Sequence, residues 1–166
     1  MSVWFTSDLH FGHKNIQKFR TFVSSEENNR KLIMDFWKKN VSKRDDVYVL
    51  GDACFTMETV EDFSSLPGRK FLIRGNHDKL DTQVYLKYFH SVEGLLKYKE
   101  FWLSHAPIHP EELRGKTNLH GHTHYHNISD LRYFNCCVEN LMNIFKTPLV
   151  RIEKLRELIY SRYKSK

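Results

Sequence analysis

Apolar positions along the first half of this chain switch between two periods. Residues 3–7 open it with Val3, Trp4 and Phe5 running into Thr6 and Ser7, a β-branched and aromatic stretch that predicts a buried strand. Over residues 28–41 the spacing lengthens. Leu32, Ile33, Phe36 and Trp37 fall at i, i+1, i+4 and i+5 with charges between them, which predicts an amphipathic helix. Residues 47–50 predict a second buried strand, stopped by Gly51. Residues 59–66 predict a short helix with Val60, Phe63 and Leu66 on one side, closed by Pro67-Gly68. Residues 70–74 predict a third strand, stopped by Gly75. That order of strands and helices favours an α/β layered core.

The second half predicts mostly strands. Residues 92–98 and 101–104 read as a hairpin turning near Lys99-Glu100, and 118–121, 133–138 and 149–151 as further strands. Residues 152–163 close the chain as a helix with Ile152, Leu155, Ile159 and Tyr163 inward and a solvated basic face. No repeat or linker interrupts the 166 residues, so one domain over 1–166 is expected.

Composition narrows the class. An apolar fraction of 40% with 14% aromatic residues excludes a disordered chain, and 7 Gly and 4 Pro exclude a collagen-like one. The longest apolar stretch is Val47 to Leu50, against the roughly 20 residues that cross a bilayer, so no membrane partner is expected. Val3-Trp4-Phe5 runs straight into Thr6-Ser7-Asp8, unlike a signal peptide. Cys54, Cys136 and Cys137 are odd in number and two are adjacent, which argues against a disulfide framework and for a reducing cytoplasm. The net charge of +6 is a mild bias toward anionic partners such as phosphate esters or nucleic acid. Ten histidines are more than a core or a solvated surface needs, and imidazole is the commonest protein metal ligand.

The chemistry lies immediately beyond the strand ends: Asp8-Leu9-His10, then Gly51-Asp52, then Gly75-Asn76-His77-Asp78, then His105, then His120-Gly121-His122-Thr123-His124. Carboxyl ends of strands are where open α/β sheets bind ligands. Each block alone has a dull explanation as a turn former, a helix cap or a hydrogen-bonded structural histidine. Five in succession do not. Asp8-x-His10 and His122-x-His124 each point two side chains the same way if the backbone stays extended. Carboxylate, carboxamide and imidazole together suit Mn²⁺, Fe or Zn²⁺ better than an all-oxygen magnesium site or a thiolate zinc site.

These five blocks, in this order from residue 8 to 124, resemble the calcineurin-like metallophosphoesterase superfamily. Asp8-Leu9-His10-Phe11-Gly12-His13 resembles the small bacterial and phage members that consist of the catalytic domain alone. The chain departs from the pattern at Ser104, where the family usually has Gly. The resemblance implies a four-layered α/β/β/α sandwich with two central mixed sheets. It implies two divalent cations, manganese first, with Fe, Zn²⁺, Ni²⁺ or Mg²⁺ as alternatives. Asp8, His10 and His124 would hold one, Asn76, His105 and His122 the other, and Asp52 would bridge them. His77 would be the acid that meets the leaving group, with Asp78 orienting its ring.

The reaction expected is hydrolysis of a nucleotide-type or small phosphodiester by a hydroxide shared between the cations. Asn76, His13 and Lys14 are candidates to touch the substrate phosphate. His109, His120 and His126 flank motif residues and are candidates to orient a ligand ring, and Arg114 and Lys116 are candidate anion anchors. Three other functions compete. A phosphomonoesterase or protein phosphatase needs arginines for a terminal dianion, and only Arg74 and Arg20 offer themselves. A non-catalytic scaffold of the same fold would lack ligands or acid, and a basic nucleic-acid-binding module would rest on net charge alone.

Overall fold

A computed structural model describes residues 1–164. The three apolar runs form β1 (Val3–Thr6), β2 (Asp46–Val49) and β3 (Arg69–Ile73), paired in parallel with Phe5 opposite Tyr48 and Tyr48 opposite Phe71. β4 (Ser91–Glu93) extends this sheet in parallel beside β3. A second sheet holds β5 (Leu95–Tyr98), β6 (Phe101–Ser104), β7 (Thr117–His120) and β8 (Tyr133–Asn135) in that order, parallel except for β5 against β6. Two-residue β9 (Val150–Arg151) runs antiparallel to β1 and completes the first sheet as β4-β3-β2-β1-β9.

Alternation along β1 to β3 divides the core in two. Trp4, Val47, Val49 and Leu72 face α1 (Glu26–Asn40) and α2 (Met57–Glu61), meeting Ile33, Trp37, Val60 and Phe63. Short α3 (Thr82–Tyr85) adds Tyr85 to this side. Phe5, Tyr48, Leu50 and Ile73 point the other way, onto Phe101, Leu103, Leu119 and Phe134 of the second sheet. Leu141 of α4 (Val138–Phe145) and Leu155 and Ile159 of α5 (Ile152–Lys164) close that second core. The result is the expected α/β/β/α sandwich of two mixed sheets, and it brings two sets of strand ends to one edge.

Local chemistry sets several boundaries. α1 begins two residues before the expected start because Ser25 caps it, accepting from the Asn28 N–H at 3.0 Å, with Glu26 and Glu27 in the positive first turn. The expected strand 92–98 is divided at Gly94. Its first half pairs with β3 and its second with β6, so the chain changes sheets there, and only the second half belongs to the hairpin. The expected strand 133–138 stops at Asn135. The Asn135 side chain accepts from the Cys137 N–H at 2.8 Å and turns the chain into α4, which the continuing apolar residues conceal.

One connection predicts an acid response. Asp45, between α1 and β2, accepts from the Ser2 N–H at 2.7 Å, the Ser42 N–H at 3.0 Å and the Trp4 indole at 3.3 Å. Burial pushes its carboxyl up, but these donors outweigh burial and hold it at about 2, below the ordinary 3.8. A carboxyl depressed in the folded state stabilises above the unfolded value, and that contribution is lost as falling pH passes the folded one. Urea unfolding should therefore show stability dropping between about pH 4 and pH 2, less steeply in Asp45→Asn. Equal slopes for the two proteins would refute the assignment.

Candidate metal centre

The loops after β1, β2, β3, β6 and β7 are laced together at the strand ends. The Asp8 N–H donates to Gly51 O at 2.9 Å, His10 N–H to Asp52 O at 3.0 Å, His77 N–H to Asp52 Oδ1 at 2.8 Å and Gly121 N–H to His105 O at 2.8 Å. Gly51 sits at φ +93°, and a Cβ there would overlap the His105 ring. At Gly121 a Cβ would overlap Ser7 Oγ and Asp8 Oδ2. The glycines therefore set how closely the ligand-bearing loops approach.

All seven expected ligands converge. Asp8 Oδ1 lies 3.5 Å from His10 Nε2 and 3.6 Å from His124 Nε2. Beside them, Asn76 Oδ1 lies 2.9 Å from His105 Nε2 and 3.0 Å from His122 Nδ1. Asp52 Oδ2 stands between the groups, 3.8 Å from His10 Nε2 and 3.5 Å from His105 Nε2. Donor atoms of Asp8, His10 and His124 fall within 4.8 Å of one another, as do those of Asp8, Asp52 and His105.

These residues fit a cation. Asp8 Oδ1 and both ring nitrogens of His10 are buried without a hydrogen-bond partner, an expensive state unless something else satisfies them. Burial pushes the His10 imidazole down, which keeps a lone pair free. Burial would raise the Asp8 carboxyl, but the neighbouring His10 ring, together with His105 and His124, holds it well below the usual carboxylate range. The backbone is strained where the ligands sit. Asp8, His10, Asp52, His122 and His124 have φ of 58°, 53°, 51°, 68° and 49°, each in the left-handed region that side chains avoid. The sequence pattern suggests an extended Asp8-x-His10 pair; the observed turns instead aim both side chains inward.

Neighbouring groups hold the ligands in place. The His105 Nδ1–H donates to Leu50 O at 2.9 Å, leaving Nε2 as the lone-pair nitrogen facing Asp52 and Asn76. Asp8 Oδ2 is taken by the Ser7 hydroxyl at 2.6 Å, the His122 N–H at 2.9 Å and the Cys137 thiol at 3.2 Å, which turns Oδ1 toward the histidines. His124 Nδ1 donates to Glu139 Oε1 at 3.1 Å. The same Glu139 oxygen receives Arg20 Nε at 2.9 Å and Nη2 at 2.7 Å, both side chains being fully buried. Glu139, Ser7 and Arg20 carry no sequence signal that marks them as parts of the centre.

Other expectations fare differently. Asp78 does not orient the His77 ring. Its two oxygens accept the backbone N–H groups of Asp52, Ala53 and Gly75 at 2.8–2.9 Å, so it shapes the loops instead. Its carboxyl is raised by burial, to about 6, despite these bonds. Arg20 and Arg74 are held away from substrate: Arg20 is enclosed, and Arg74 bonds Asp78 O, Thr82 Oγ1 and Leu80 O. A cavity of about 530 Å³ opens over the histidines, lined by His10, His13, His77, His122, His124 and His126 among others. Lys14 is exposed and is not part of that lining. His109 caps a turn at Pro110–Glu112 through a 3.4 Å bond from the Glu111 N–H, and His120 Nδ1 bonds Gly121 O. Lys116 reaches Lys99 O, and Arg114 pairs with Glu112. Phe55, which no motif flags, packs at 5.1 Å from the His77 ring and 5.5 Å from His10.

A family model for calcineurin-like phosphoesterase matches residues 1–157. The chain belongs to that family. This phosphoesterase is 31% identical to the Gene 66 protein of Mycobacterium phage L5 over 160 residues, covering 74% of this chain and 77% of the phage protein. Its fold matches a protein of unknown function, AQ665, from Aquifex aeolicus, with a TM-score of 0.75 and 25% identity over 95% of this chain and 98% of the other. A structure described as a novel archaeal phosphodiesterase matches with a TM-score of 0.55 at 17% identity, covering 93% and 95% of the two chains, and shares the fold. The phosphoesterase is thus a phosphoester hydrolase with candidate divalent-metal ligands, and no helix among the described residues is long and apolar enough to cross a membrane.

The Glu139 link makes a prediction of its own. Glu139→Gln removes the charge opposite buried Arg20 and weakens the acceptor for His124. Metal affinity should fall about 10–100-fold, with a loss of stability of roughly 3–5 kcal/mol from the broken buried pair. Metal titration and thermal unfolding measure the two effects. A variant that binds metal like the parent would show that Glu139 holds only the fold.

Proposed function

We propose that this phosphoesterase is a dinuclear-metal phosphodiesterase acting on nucleotide-type or small diesters. The observation that carries the reading is Asp52 Oδ2, placed within 3.8 Å of His10 on one side and 3.5 Å of His105 on the other, where one carboxylate can serve two cations. Asp8, His10 and His124 would complete one position, and Asn76, His105 and His122 the other. Two divalent cations bound there supply Lewis acidity toward the phosphoryl oxygens and a nucleophile derived from water near neutral pH. Asn76 contributes a neutral oxygen, so the ligand set leaves net positive charge for the phosphate. His77 borders the same cavity and would give a proton to the departing oxygen. His13 borders it too and would help to seat the ester, whereas exposed Lys14 is a weaker candidate.

Diester is favoured over monoester by the arginines. A terminal dianion needs a strong cationic clamp, and Arg20 and Arg74 are both engaged within the fold, with no Lys or Arg in the cavity lining. The likeness to a structure described as a phosphodiesterase agrees in direction. Manganese is the proposed metal on donor hardness, and three free, buried cysteines fit action in a reducing cytoplasm, of a cell or of a phage-infected host. Mn²⁺-loaded protein should hydrolyse bis(p-nitrophenyl) phosphate with kcat/KM at least about ten-fold above p-nitrophenyl phosphate. The opposite ratio makes it a monoesterase, and inactivity toward both returns it to the non-catalytic scaffold.

A further inference from the structure

The cavity over the metal ligands has a second character. Part of its lining comes from the segment after β1, with Ile16 and Phe19, and part from the loop after β7, with Tyr125 next to His124. Phe19 is 61% exposed and Tyr125 49% exposed, although both are large rings bordering the same hollow. A single exposed aromatic needs no explanation, but two on separate loops lining one hollow over the candidate metal ligands offer apolar rings to whatever enters it. The Phe19 ring also packs edge-on against His13, at 5.7 Å between centroids, and His13 packs against His10 at 5.9 Å. Phe19 is thereby tied to the centre by a chain of ring contacts.

The lining also excludes alternatives. Among the described residues it contains no Lys, Arg, Asp or Glu, so it offers no permanently charged clamp for a second phosphate or a cationic headgroup. Its volume of about 530 Å³ is in the range of small-molecule sites and leaves room for a flat ring beside the phosphoryl group. We propose that Phe19 and Tyr125 form a stacking subsite for a nucleobase carried on one side of the scissile phosphate, so that the substrate is a nucleoside diester rather than a sugar, glycerol or other aliphatic one. The inference rests on the phosphodiesterase reading above and goes beyond it by naming what the phosphate carries and which residues select it. Stacking on an aromatic side chain is tolerant of base identity, so discrimination among the four bases is expected to be weak.

A thymidine dinucleotide and its two analogues with an abasic sugar at either position test this, because bond, charge and leaving oxygen stay the same while one base is removed. With Mn²⁺-loaded protein, kcat/KM should fall about ten-fold when one of the two bases is missing, within the roughly 5- to 150-fold span of base–aromatic stacking. The ratio of intact to abasic substrate should shrink toward one in Phe19→Leu, which keeps apolar bulk against His13 but loses the flat face, and in Tyr125→Ala. Tyr125→Phe should retain it. A wild-type ratio near one for both analogues, or a ratio preserved in both Phe19→Leu and Tyr125→Ala, overturns the subsite while hydrolysis itself upholds the phosphodiesterase. Failure to cleave any of the three substrates, with bis(p-nitrophenyl) phosphate also untouched, overturns both.

Discussion

Asp52→Asn should release at least one cation per chain and slow diester hydrolysis by about 10³-fold or more, which is about 4 kcal/mol of barrier. The variant changes almost nothing in shape, since an amide oxygen at Oδ1 can still accept the His77 N–H that lies 2.8 Å away. What it removes is negative charge from a point 3.8 Å from His10 and 3.5 Å from His105. Two like-charged cations a few ångströms apart repel strongly, and a carboxylate between them is the natural compensation. Elemental analysis of the purified variant, paired with turnover at saturating Mn²⁺, measures the effect. Two cations retained with turnover within ten-fold of the parent would remove Asp52 from its bridging role.

His77→Ala should do the reverse: metal content unchanged, but hydrolysis of a diester with an alkyl leaving group slowed by about 10²–10⁴-fold. A substrate whose leaving group departs without help, such as p-nitrophenolate, should be much less affected. The backbone and the ring of His77 have separate partners. The His77 backbone is held by Asp52, while its ring faces the cavity against Phe55 and His10. Because both Asp78 oxygens serve backbone N–H groups, the ring is set by packing, and Phe55 is the neighbour closest to it in ring contact. Equal losses with good and poor leaving groups would assign His77 to phosphate binding instead.

The candidate ligands were legible in sequence for a chemical reason. Metal sites demand N and O donors, strands deliver them at their ends, and the strands themselves are marked by apolar runs. The groups that support the ligands obey no such rule. Glu139 lies in the first turn of α4, and the Cys136, Cys137 and Val138 ahead of it continue the apolar character of β8 with no glycine or proline to signal a turn. Arg20 offers itself in sequence only as a clamp for a substrate dianion, whereas the fold encloses it between Glu139 and Asn29. Gly94 marks the change of sheet, yet the alternation around it is continuous, so only the pairing partners on each side reveal the switch. Such facts depend on which elements become neighbours, and one sequence carries little record of that.

The donor set is divided between the two sheets: Asp8, Asp52 and Asn76 come after strands of the first, and His105, His122 and His124 after strands of the second. Any cations bound by this set would act as rivets between two leaves, and native-only binding would add their affinity to the stability of the whole sandwich. A cell that withheld such an ion would then withdraw a fastener along with a reagent, leaving a looser protein for its proteases to find.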